Sequence, residues 1–203
     1  MTTGPAARIL ATAVILSLSL VGLVVHEGVE RSRGVEVVLP IAAYDPRSPL
    51  SGHYVAFSVE EVRPAGSACP PGLSRLGESP RLGWVALRRE GAAHRLAGWA
   101  PERAVARKFG EVVLRGAATC IPLDDGVRLP LDLGVDRFHV DQRQAQAIEA
   151  ALRSAPVLRG PAEPAAVNAV AVRGFAVLSA GRDGKARLKA LIVDGRRTDL
   201  AWL

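Results

Sequence analysis

Asp45, Ser48, Ser51 and His53 crowd into one turn-rich segment, and their types are those of a serine nucleophile with a base and an orienting acid. A triad is assembled in three dimensions, however, and the chain has no Gly-x-Ser-x-Gly elbow to hold a serine above a sheet. His53, His94 and His139 stand singly, without His-x-x-x-His or paired-carboxylate spacing, so a metal site would need them to converge by folding. Asp124-Asp125-Gly126 and Asp183-Gly184 are turn chemistry, since no EF-hand pattern surrounds them. Gly181 and Gly184 likewise mark a hairpin rather than a phosphate loop. The sequence therefore names no catalytic residue, no metal ligand and no cofactor.

Cys69 and Cys120 are the two cysteines, and without a Cys-x-x-Cys neither a zinc knuckle nor a thioredoxin-type motif is available. In an oxidising compartment a disulfide between them would tie a Pro/Gly-rich loop to a later strand. The alternative is two thiols, one exposed in Ala68-Cys69-Pro70-Pro71 and one buried near Ile121. The bond is favoured, because an exposed free thiol is a liability outside the cell.

The compartment follows from residues 9–25, an uncharged apolar run preceded by Arg8 and followed at once by the polar residues 26–33. As a helix it rises about 25 Å, the lower limit of a hydrocarbon core, and Ala6 and Ala7 can lengthen it. A cleaved secretory signal would have a shorter apolar region and a small-x-small site, whereas this run ends Val24-Val25-His26-Glu27-Gly28. An uncleaved signal-anchor is therefore preferred to a cleaved signal, with a buried core helix as third alternative. The short N-terminal flank before a large body places the N-terminus in the cytoplasm and the body outside, in a single pass of the inner (cytoplasmic) membrane. Residues 1–34 form the anchor and juxtamembrane segment, and residues 35–203 an extracytoplasmic domain with the lipid bilayer contacted through residues 9–25.

The body is long enough for one real core. The chain carries a formal net charge of +6, but its basic residues are dispersed arginines and only Lys108, Lys185 and Lys189 are lysines. With three Trp, two Tyr and four Phe there is no stacking platform, so nucleic acid is excluded as a partner. Strand-like stretches dominate. Residues 35–43 form a β-branched run whose internal Pro40 argues for an edge or bulged strand. Residues 54–62 begin by alternation, with Tyr54, Ala56 and Ser58 on one face and Val55, Phe57 and Val59 on the other. Residues 65–81 read as a long loop. Hairpins are expected around residues 89–92, 124–126 and 181–184. One segment, residues 142–153, has helical signals at both ends: Asp141 as cap, Pro156 beyond the end, and Ala145, Ile148 and Leu152 as a narrow stripe for docking on a sheet. The fold class expected is α+β and β-rich, a mainly antiparallel sheet with one docked helix, preceded by a single transmembrane helix.

Asp45-Pro46-Arg47, followed by Gly52-His53-Tyr54-Val55-Ala56-Phe57-Ser58-Val59, resembles the "DPR…GDYxxLxY" element of the GDYXXLXY-motif family of bacterial membrane-anchored proteins. Residues 137–140, the following helix and the last strands around residues 189–196 support the resemblance. Gly52 and Tyr54 match the signature, while His53 stands at its Asp position, Phe57 at Leu and Val59 at the final Tyr. The resemblance implies an envelope protein, often associated with a polytopic membrane protein, and brings no activity with it.

Asp45, Arg47, Gly52, His53 and Tyr54 thus form a family-motif loop. Asp45 before Pro46 is extended, Pro46 and Pro49 stiffen the loop and Gly52 supplies a tight step into the strand, which is chiefly an architectural account. A partner or ligand surface is the secondary reading, because loops on rigid strands carry function. The function expected is a binding or accessory module for another envelope or membrane component. An envelope enzyme acting on cell-wall or lipid-linked substrates is the alternative.

Overall fold

A computed structural model describes residues 4–43, 54–139, 143, 147–148, 150 and 174–200. Helix α1 (Pro5–Arg33) starts with Pro5 in its first turn, where the missing N–H costs nothing, and ends with Arg31 and Arg33 at the negative end of its dipole. Its segment Arg8–Arg33 has a mean hydropathy of 2.4 over its most apolar window and is long and apolar enough to cross a membrane. None of that window is buried, and Ile9 and Leu10 are 71% and 67% exposed, which removes the core-helix alternative. Thr12 and Ser19 return their hydroxyls to the carbonyls of Arg8 and Ile15, so these polar groups are satisfied within the helix.

Gly34 links α1 directly to β1 (Val35–Ala43). There follow β2 (Tyr54–Pro64), β3 (Ser74–Arg75), β4 (Gly83–Glu90), β5 (Ala93–Ala100), the short helix α2 (Arg103–Ala106), β6 (Val112–Leu123), β7 (Gly126–Asp132), β8 (Arg137–His139), β9 (Gly174–Ala180), β10 (Ala186–Val193) and β11 (Arg196–Asp199). Among the described residues the strands form one sheet in the order β11-β10-β9-β1-β2-β7-β6-β4-β5, with β8 beside β2 and β3 beside β6. All pairings are antiparallel except β3 with β6. The three expected hairpins are β4–β5, β6–β7 and β9–β10, and a fourth, β10–β11, turns at Asp194-Gly195 with both residues at positive φ.

Two expectations need correction. Pro40 does not mark an edge strand: β1 lies inside the sheet, pairing β9 through Pro40 and β2 from Ile41 onward. The proline is tolerated because its missing N–H falls where the strand changes neighbours. Residues 65–81 are not loop throughout, since β3 runs parallel to β6 and Cys69 is bonded to Cys120 of β6 with their Cα atoms 5.9 Å apart.

Of the expected helix 142–153, Arg143, Ala147, Ile148 and Ala150 are described and helical; its cap Asp141 and the rest lie outside the described residues. Ile148 is in the main core with Leu39, Phe57, Val85, Leu114, Leu129, Phe138 and Leu178, so the helix docks on the sheet. That core is continuous because the sheet curls until β5, at the end of the path, lies beside β1 and β2.

Candidate functional site

Of the family-motif loop, Asp45, Arg47, Gly52 and His53 lie outside the described residues. Tyr54 opens β2 opposite His139 of β8. Immediately downstream, a cleft of about 430 Å³ is lined by Ala56, Phe57, Ser58 and Val59 of β2 and by residues 131–137. Its charged groups are engaged locally: Asp132 accepts from the Gly134 N–H, and Asp136 and Arg137 lie 3.6 Å apart. The Asp136 carbonyl accepts the Phe57 N–H at 3.1 Å, which fixes the entry to β8 against β2.

His94 and Glu61 occupy the seam where the sheet closes. Strand β5 meets β2 there without a backbone ladder, and side chains supply the missing partners. Glu61, 3% exposed, accepts from the Leu96 N–H at 2.8 Å, from Arg63 Nε at 2.8 Å and from Arg95 at 3.2 Å. Arg63 in turn donates to the Leu96 carbonyl. The Glu61–Arg63 pair thus offers Leu96 the acceptor and donor that a neighbouring peptide would, and satisfies an edge that the curl buries. His94, also buried, accepts the Val38 N–H on Nδ1 at 3.2 Å, and desolvation pushes its pKa below the ordinary histidine range. The cleft beside it, about 460 Å³, is lined by Glu36, Arg89 and Glu111 among others, with no serine, cysteine or lysine among the described lining residues. A neutral histidine committed as an acceptor and a carboxylate bound to two guanidiniums are structural uses of these groups. Among the described residues no group of three or more His, Cys, Asp or Glu is placed to hold a metal ion.

The densest polar construction lies where α1 meets the body. The helix passes Val25, the end of the uncharged apolar run, and continues unbroken through Arg33. Along this last stretch it seats on β9 and β10. Arg187 of β10, with its side chain 9% exposed, donates from Nε to Glu27 at 2.6 Å and from its two terminal nitrogens to Asp183 at 3.1 and 2.9 Å. Lys185 lies 3.9 Å from Glu27. Arg187 holds the Asp183 carboxyl down to about 2, and the two carboxylates hold Arg187 above its usual range. One turn further on, Arg31 donates to the Lys189 carbonyl and the Ser179 hydroxyl reaches the Glu30 carbonyl. Glu36, just inside β1, takes Lys189 at 3.0 Å and Arg197 at 3.1 Å; these partners, Arg197 first, lower its pKa. Gly34 is required at the corner: a Cβ there would run into Ser179 Oγ and the Ala180 carbonyl.

The sequence pointed to none of these pairs. Glu27 is visible in the sequence as a carboxylate just beyond the apolar run, but nothing local marks Arg187 as its partner. Chemically, the arrangement makes a joint of ion pairs and hydrogen bonds between an apolar helix and a sheet.

The family model described as GDYXXLXY protein matches residues 16–191. The chain belongs to the GDYXXLXY family. No curated protein and no solved structure gives a match. The GDYXXLXY match begins inside α1 and runs to β10, so it includes both sides of the joint.

Within the GDYXXLXY signature, the two departures from the motif inside β2 are both apolar and both buried. Phe57, at the Leu position, and Val59, at the final Tyr position, are each 2% exposed and belong to the main core. Alternation put them together on one face, as expected. Ala56 on the other face is also buried, at 7%, so β2 is covered on both sides at this point. These positions of the GDYXXLXY motif are therefore packing positions in this chain.

Proposed function

We propose that this GDYXXLXY protein is a single-pass anchored protein of the bacterial inner membrane, with a cytoplasmic N-terminus and the β-rich body on the extracytoplasmic side. The body serves as a binding or accessory module for another envelope or membrane component, foremost a polytopic membrane protein. The observation that carries this reading is the joint. The apolar helix does not end in a flexible tether but enters a seat of ion pairs and backbone contacts on β9 and β10. A signal removed after export would strip Glu27 from Arg187 and leave a buried guanidinium with half its partners, which argues for retention of the helix. A stiff connection also fixes the height and orientation of the body above the bilayer, which suits a module that meets a partner embedded in the same membrane.

The test combines sidedness with recovery. In spheroplasts, added protease should digest the body and leave an N-terminal stub in the membrane, and extraction in mild detergent should recover the full chain with a polytopic protein in stoichiometric amount. A body found soluble and lacking its first residues would overturn the anchor. A membrane-bound chain that purifies alone in every mild detergent would overturn the accessory role.

A further inference from the structure

The tip of the β9–β10 hairpin stands at a height that α1 determines. Glu27 follows Val25, the end of the uncharged apolar run, by about 3 Å of helix rise. Asp183, Lys185 and Arg187 gather around Glu27, so if residues 9–25 fill the hydrocarbon core this hairpin tip lies at the level of the lipid headgroups. The tip is bonded in turn to the opposite part of the sheet. The Gly184 carbonyl accepts the Arg115 N–H of β6 at 2.7 Å, and the Arg182 carbonyl accepts from Arg103 of α2 at 2.9 Å. Gly184, at φ +81°, lies so close to the Trp84 ring that a Cβ would strike it.

A ledge results in which Trp84 of β4 is flanked by two guanidiniums, Arg103 at 5.0 Å and Arg115 at 5.3 Å from its ring, with exposed Arg182 and Lys185 beside them. Lys185 shares Glu27 with Arg187, but among the described residues Arg103, Arg115 and Arg182 have no carboxylate partner, in contrast to Arg187 and Arg197 nearby. Two carboxylates adjoin these arginines in the chain: Glu102, exposed beside Arg103, and Asp183, beside Arg182 and taken by Arg187. Arg103 Nε is buried without a hydrogen-bond partner. Arg103 is committed to the Arg182 carbonyl and contributes positive charge beside the indole, while the exposed guanidiniums of Arg115 and Arg182 offer the donors that suit a phosphate, and tryptophan itself prefers the headgroup region.

We propose that the Trp84–Arg103–Arg115–Arg182 ledge binds the anionic phospholipid headgroups of the leaflet from which α1 emerges into the body. The ledge fastens the body against the membrane surface at a second point, and the joint holds it there. This rests on the anchored reading of α1, and the phosphate chemistry comes from lipid rather than from solution because the ledge is level with the end of the apolar run.

The full chain is reconstituted into nanodiscs of phosphatidylcholine alone or mixed with phosphatidylglycerol, with shallow brominated lipid as quencher. Tryptophan emission should be quenched more in the anionic discs, and Trp84→Phe should remove that increment. Native mass spectrometry should find phosphatidylglycerol retained on the parent. The combined Arg103→Gln, Arg115→Gln, Arg182→Gln variant should lose that preference at least fivefold, and the corresponding lysine variant, which keeps the charge and reports on folding, should keep most of it. Equal retention by parent and glutamine variant overturns the proposal, as does an increment untouched by Trp84→Phe. A response to inorganic phosphate in phosphatidylcholine discs as large as that to phosphatidylglycerol assigns the ledge to a soluble anion and overturns the lipid. A chain that stays out of the discs overturns the anchor itself, whereas a chain that inserts with Trp84 beyond the quencher overturns the ledge alone.

Discussion

Glu61 is the residue whose removal should hurt most, because it completes the backbone of another strand. Glu61→Ala leaves the Leu96 N–H, Arg63 and Arg95 without their shared acceptor inside the seam, and it should destabilise the body by about 3–5 kcal/mol. Glu61→Gln keeps an oxygen for Leu96 and should cost less than the alanine variant; denaturant melts of the two give the comparison. His94 makes a pH-dependent contribution. Burial lowers its pKa in the fold, so the unfolded chain binds more protons below about pH 6.5, and stability present above that pH is lost as the pH falls. His94→Gln retains an acceptor for Val38 and should flatten the fall in Tm between pH 7 and 5. The other histidines are common to parent and variant, so the difference belongs to His94; parallel curves would show that the imidazole already titrates normally.

At the scale of elements, the joint converts α1 from a tether into a strut. Glu27 and Arg187 should show coupling in a double-mutant cycle with glutamine at each position. The Glu27 side chain is 39% exposed, so screening limits the expected coupling to about 1 kcal/mol. Asp183 adds an acid-sensitive part: its pKa of about 2 lies below its ordinary value, so its contribution is present above about pH 4 and disappears as the pH falls toward 2. Arg187→Gln should abolish that acid step in the melting curve, and a step of unchanged size would place its origin elsewhere. The hairpins were legible because Gly91, Asp124-Asp125 and Gly181 to Gly184 carry their turn chemistry locally. The same Asp-Gly signal stood at 194–195 but was not read as the turn into β11, and β3 and α2 were missed because elements of two and four residues have too few positions for a period to be read.

Over the whole molecule, the Cys69–Cys120 bond spans 51 residues and pins the segment containing β3 to β6. In the loop-entropy account it is worth roughly 4 kcal/mol, so reduction should lower the Tm of the detergent-solubilised chain by many degrees, and an unchanged Tm would show that β3 is held by the sheet alone. The apolar run, the antiparallel β-rich class, the motif resemblance and three hairpins were readable from sequence because each depends on neighbours within a few residues or on the length of one periodic stretch. The seam and the joint were not. Glu61 meets Leu96 only because β5 curls back toward β2, and Glu27 meets Arg187 across 160 residues only because β10 is carried beside the first helix by its pairing through β9. Such contacts obey sheet order and twist, which sum many weak pairings along the chain, so the tertiary structure alone decided which charges face one another.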